Sequence, residues 1–166
     1  MIYVVISTGA TVLWFLLAVF LSHQNGADTY QTSIGLAERI KDLMERMGLF
    51  EQGGIFASVG ADPLPFVHSL LRRTAHVGIY AVLAVLVGIT MRTLARHTKL
   101  RIPIWTGAAF CIFWCWADEA TKIPVEGRHF SWIDVGLNLL GCGIGLVVLL
   151  IIKRIHATWR KSHAVQ

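Results

Sequence analysis

Two stretches of this chain gather residues that can do chemistry between runs that cannot. The first holds Arg72, Arg73, His76 and Tyr80. The second, Ala117 to Gly141, packs Asp118, Glu119, Lys122, Glu126, Arg128, Asp134 and Asn138 between two apolar segments. An imidazole exchanges protons near neutral pH. Carboxylates serve as general acids and bases, or as oxygen ligands for a hard cation. A guanidinium grips phosphate or carboxylate through its planar fork. Together these groups suit phosphoester transfer or hydrolysis, or the capture of a charged headgroup. Their spacing is helical. Arg72, His76 and Tyr80 recur at i, i+4 and i+8, and Asp134 and Asn138 at i, i+4, with Gly141 and Gly145 continuing toward the next turns. Polar groups this dense at the end of a membrane span are costly unless something compensates them.

The elements that must position these groups are apolar helices. The chain has 166 residues, 55% hydrophobic and 15% charged, with a mean hydropathy of +0.60. Soluble domains carry roughly 25% charged residues, so a single integral-membrane domain over residues 1–166 is expected. Four runs are candidates for spans, at about 2–21, 74–91, 102–118 and 133–152. About 20 apolar residues suffice to cross hydrocarbon, and a helix satisfies its own backbone there. The first run has no basic n-region and is too long for a signal-peptide core. Between spans one and two, Leu36, Ile40, Leu43, Met44 and Met47 trace one face of an amphipathic helix over about 33–47. Ser33 is its expected N-cap and Gly48 its stop. Such a helix lies in the membrane interface or packs on the bundle end. The expected fold is therefore all-α: a four-helix membrane bundle with an interfacial amphipathic helix.

Lys/Arg excess marks the cytoplasmic side of a membrane protein. The short 92–101 loop and the C-terminal tail hold that excess, which places both termini in the cytoplasm and the polar cluster on the opposite face of a multi-pass cytoplasmic (inner) membrane protein. Arg72 and Arg73 run against this count. The formal charge of +5 sits at the ends of apolar runs, where headgroups and topology explain it, so no nucleic-acid partner is expected. Cys111, Cys115 and Cys142 lie inside apolar runs and read as small buried hydrophobes. No metal motif is present, although the acidic set with Asn138 would suit Mg²⁺ or Mn²⁺ through oxygen ligands.

Each polar residue also has a plain structural role. Arg128 can neutralise Asp118 or Asp134, His76 can be a helix contact, and Tyr80 can anchor at the interface. The glycines can serve close helix packing. Convergence of six groups argues for a site, because a structural lock needs only a pair.

These residues resemble the VanZ-like membrane proteins, a family named for an accessory teicoplanin-resistance protein. The family pattern of a basic residue and His ahead of an aromatic, then Asp-Glu, Gly-Arg, Asp, Asn and Gly, is met by Arg73, His76, Tyr80, Asp118–Glu119, Gly127–Arg128, Asp134, Asn138 and Gly141. The fit runs from about residue 68 to 150. Ser22, Gln24 and Gly26 are similar to the family's Ser-x-Gln-x-Gly element. Lys122 stands where the family often has Gln. The resemblance implies a four-helix protein of the cell envelope, with effects on glycopeptide (teicoplanin) susceptibility in its best-known member.

Two functions follow as expectations. In the first, the protein is an enzyme acting on lipid-linked headgroups. His76, Asp118 and Glu119 provide nucleophile or acid/base groups, Arg128 neutralises phosphate, and Asp134 and Asn138 orient His76, a sugar or a cation. Arg73, Tyr80, Lys122, Ser22 and Gln24 contact substrate. In the second, the same cluster binds a lipid or lipoglycopeptide without turnover. Either way the partners are membrane lipids or lipid-linked envelope precursors. The readings part at charge-conserving changes, because a catalytic carboxylate is sensitive to about 1 Å of misplacement and a headgroup clamp is not. A transporter is disfavoured, since four spans with no charge in mid-membrane offer no polar pathway in a monomer, although an oligomer could create one.

Overall fold

A computed structural model describes residues 1–23, 26–60, 62–98, 105–125 and 129–162. The described residues are all-helical: α1 (Ile2–His23), α2 (Gly26–Arg46), α3 (Leu64–His97), α4 (Trp105–Thr121) and α5 (Trp132–Ser162), with a 3₁₀ turn at Ala57–Val59. Three of them, α1, α3 and α5 as far as Ile155, are long and apolar enough to cross a membrane. The chain is therefore built as a membrane-embedded protein. The third expected span appears as the 17-residue α4, and its expected first residues, 102–104, lie outside the described ones. Of the other expected spans, α3 is extended most. It runs ten residues ahead of its apolar run, and its 34 residues rise about 51 Å at 1.5 Å each, against a hydrocarbon core of about 30 Å. Its added first turns, which carry His68, Arg72 and Arg73, thus lie at one end of the bundle.

Helix α3 packs against every other helix. Antiparallel α1 follows it by stacking Tyr3 on His97, with ring centroids 6.5 Å apart, by a 2.8 Å hydroxyl contact between Thr11 and Thr90, and by Trp14 Nε1 donating to the Ile79 carbonyl at 3.0 Å. The core joins Tyr80, Leu83, Ala84 and Val87 of α3 to Cys111 and Cys115 of α4 and Cys142 of α5. The three cysteines are free, and the Cys115 and Cys142 sulfurs sit 3.6 Å apart. Trp114 closes this core against Phe15 of α1 with ring centroids 4.5 Å apart. Outward faces stay apolar, as Leu13, Phe20, Phe113 and Leu150 illustrate. Such exposure would be a liability in water and is ordinary against lipid.

Helix α2 is longer than its apolar pattern indicated, and the N-cap expectation at Ser33 is corrected. The helix starts at Gly26, and Ser33 lies in its interior, where its hydroxyl shares a 2.8 Å hydrogen bond with His68 Nε2 of α3. The Tyr30 ring packs on the same imidazole at 4.8 Å. A tertiary partner thus gives Ser33 the role that a cap would otherwise have supplied. The expected stop is found: Gly48 adopts φ +69° just beyond Arg46, a left-handed conformation that glycine takes without a Cβ penalty. The apolar face divides in two. Ala37 is wholly buried, while Leu36, Leu43 and Met47 form an exposed stripe at i, i+7 and i+11, as a helix lying along a lipid surface requires.

Candidate functional site

The end of the bundle where α3 begins, α4 ends and α5 begins holds a buried polar layer. Asp118 and Glu119 close α4 with 1% and 0% of their surface exposed, and Lys122 in the following turn has 2%. Lys122 Nζ lies 3.1 Å from Asp118 Oδ2 and is hydrogen-bonded to Glu119 Oε1. The pairing follows from local spacing, because residues three and four apart share a helix face. Burying a carboxylate without a partner costs several kcal/mol, so Lys122 is what lets two adjacent acids close this helix.

Glu119 carries the connection onward. Its Oε2 accepts from the Ser131 backbone N–H at 3.4 Å. Ser131 is the N-cap of α5: its hydroxyl accepts from the Asp134 N–H at 3.2 Å and its carbonyl from the Val135 N–H at 3.1 Å. Two further contacts tie α5 to α3. Arg72 Nη2 donates to Asp134 Oδ2 at 3.2 Å, and His76 Nδ1 donates to Asn138 Oδ1 at 3.0 Å. Both pairs are one helical turn apart on each partner, so they form successive rungs between the two helices. Arg72 is half-exposed. We therefore expect Arg72→Gln to cost less than about 1 kcal/mol, read as a small shift in thermal midpoint in detergent.

The layer is not fully satisfied. The Asn138 amide nitrogen is buried with no hydrogen-bond partner among the described residues, and the Tyr80 hydroxyl and Asp118 carboxylate lie close to one another without well-aligned hydrogen-bond geometry. Asp118 and Lys122 attract by charge without hydrogen-bond alignment. Tyr80, 3% exposed, belongs to the core, which rules out its alternative role as an interface anchor. Ser22 is also buried with its hydroxyl unpartnered. The antiparallel register set by Tyr3–His97 and Thr11–Thr90 places it level with the His76–Tyr80 turn. Among the described residues no cluster of His, Cys, Asp and Glu is arranged to hold a metal ion.

Beside the closed layer lies an open one. A cavity of about 380 Å³ is lined by His68, Arg72 and Arg73 of α3 and by His129, Ser131 and Asp134 at the start of α5, with Ser69 and Ile133 among its walls. The expected site residues thus divide. Asp134 reaches the open cavity together with Arg73. Asp118, Glu119, Lys122, Tyr80 and Asn138 are enclosed next to it. Gln24, Glu126 and Arg128 lie outside the described residues; among the described ones Lys122 pairs with Asp118 and Glu119, and Arg72 with Asp134. Sequence reasoning missed His68, although it lies one turn ahead of Arg72 on the same 68–72–76–80 stripe. It also missed His129, which no periodicity marks. Compared with protein-family models, with curated proteins and with solved structures, the chain matches none.

Proposed function

We propose that this chain is a multi-pass, VanZ-like protein of the cell envelope that binds a lipid-linked headgroup at the polar end of its bundle, with α4 as a fourth span. The observation that carries this reading is the open polar cavity set directly against a buried ionic layer at one end of an apolar bundle. A headgroup lying at the membrane surface meets such an end side-on, with its chains still in lipid. The buried Asp118–Glu119–Lys122 group then fixes the wall of the site by holding the end of α4 to the cap of α5. The orientation that places this end on the outer face is part of the same proposal, as is any effect on glycopeptide susceptibility.

A second reading is favoured by one contact. The hydrogen bond to Asn138 fixes His76 Nδ1 and leaves Nε2 as the proton-transfer nitrogen. His76 is not in the lining of the open cavity, so this reading requires the substrate to reach one turn deeper than Arg72; the site would then hydrolyse or transfer a phosphoester, with positioning and charge neutralisation supplying most of the rate gain. The carboxylates enclosed with Lys122 would not touch substrate. The test is a mass-spectrometric profile of extracted envelope lipids from cells expressing wild type or His76→Ala at matched membrane abundance. Binding without turnover predicts identical profiles. A lipid or lipid-linked precursor that changes with wild type alone would establish catalysis and name the substrate class.

A further inference from the structure

The composition of the open cavity goes further than a generic headgroup site. Its cationic groups outnumber its acids. Arg72 is engaged by Asp134, the one carboxylate among the described residues of the lining. That leaves Arg73, for which no ion pair is found among the described residues, facing the same space as two imidazoles. His68 Nε2 is held by Ser33, so the ring is fixed in orientation and its other nitrogen is left for a ligand. His129 lines the cavity from the segment leading into α5, and Ser69 is among the lining residues. The first turn of the 31-residue α5 adds the partial positive charge of a long helix at its N-terminus. Asp134 also sits there, and its charge is offset by Arg72.

The wall of the cavity identifies the source of the ligand. Ile133 lines it and is 62% exposed, and its neighbour Trp132 is 71% exposed. Leu70, on the turn of α3 between Ser69 and Arg72, is also exposed. The cavity therefore borders a lipid-facing surface, and a ligand held in it has an apolar route for its chains.

We infer that this cavity is a binding site for the phosphomonoester headgroup of a membrane lipid. The inference rests on the headgroup-binding reading and narrows it to one chemical class. A terminal phosphate carries about −1.5 to −2 charges at neutral pH and three strong acceptor oxygens. A phosphodiester carries one charge and presents two free oxygens. Arg73 supplies a fork for two of the oxygens, and His129 and His68 supply single donors. The volume accommodates a phosphate with its glycerol or first sugar. A large glycan would have to extend out of it.

The experiment uses the full chain in phosphatidylcholine nanodiscs, titrated with fluorescent phosphatidic acid and, separately, with fluorescent phosphatidylglycerol. Phosphatidic acid should bind in preference to phosphatidylglycerol. Arg73→Gln should weaken phosphatidic acid about tenfold or more, the loss expected for one charge-assisted contact. Arg73→Lys should fall between the two, and His129→Ala, which alters only the segment before α5, should also weaken binding. Arg92→Gln, at the far end of α3, should leave it unchanged. Equal binding of both anionic lipids, insensitive to Arg73 and His129, would overturn the phosphomonoester assignment while leaving the headgroup reading in place. No preference for either lipid over phosphatidylcholine would remove both. Displacement of phosphatidic acid by inorganic phosphate at comparable concentration would show that the lipid chains contribute nothing, and would overturn the lipid source.

Discussion

Lys122→Met is expected to be among the most destabilising single changes in this protein. The substitution keeps most of the stem volume and removes the ammonium that faces two carboxylates, each at most 1% exposed. Breaking a buried ion pair by deleting one partner costs about 3–5 kcal/mol, because the other charge is left uncompensated. Here two carboxylates are left in the buried layer without their cation. The expected result is a sharp fall in monodisperse protein after detergent extraction, and a lower thermal midpoint in what remains. Neutralising the acids in the same chain, with Asp118→Asn and Glu119→Gln added to Lys122→Met, should recover much of that loss, since it removes the uncompensated buried charges. A Lys122→Met protein as stable as wild type would show that Lys122 does not hold these carboxylates.

The same triad shows what was legible in the sequence. The apolar runs, the all-helical class, the gathering of His76, Asp134 and Asn138, and the stop at Gly48 are local or periodic signals, and each is found in the fold. The assignment of counter-charges is not periodic. Yet a partner for the two acids was present in the i+3 and i+4 relation of Lys122 to Glu119 and Asp118, which sequence reasoning did not use. Lys122, expected among the substrate contacts, is instead enclosed against the two buried acids. The cavity was harder to see. His129 reaches it only because α5 is capped at Ser131 and that cap is pinned to Glu119, a relation across twelve residues that no helical period encodes. The boundary between enclosed and open polar groups is likewise set by packing between helices.

The second large effect is expected within a single helix, where four glycines should behave in two opposite ways. A Cβ at Gly145 would run into the Ala81 carbonyl and stand 2.9 Å from Ala84 Cβ; at Gly141 it would run into the Val77 carbonyl and stand 3.0 Å from Tyr80 Cβ. Backbone cannot swing aside as a flexible side chain can, so Ala at either position must push α5 away from α3. Overpacking of this kind costs roughly 1–3 kcal/mol and sometimes more. At Gly136 and Gly143 the same atom meets nothing within 4 Å, and Ala there should be neutral or stabilising by up to about 1 kcal/mol through helix propensity alone. Thermal midpoints of the four single-alanine proteins in one detergent decide the matter. Equal shifts at all four positions would mean that close approach is not what the glycines serve. The consequence reaches the site, because the close contacts at Gly141 and Gly145 continue the line of the Arg72–Asp134 and His76–Asn138 rungs. Those hydrogen bonds span 3.0–3.2 Å and weaken steeply once stretched. Gly141→Ala, one turn from Asn138, should therefore loosen the wall of the cavity and weaken phosphatidic acid binding even in the fraction of protein that folds, whereas Gly143→Ala should not.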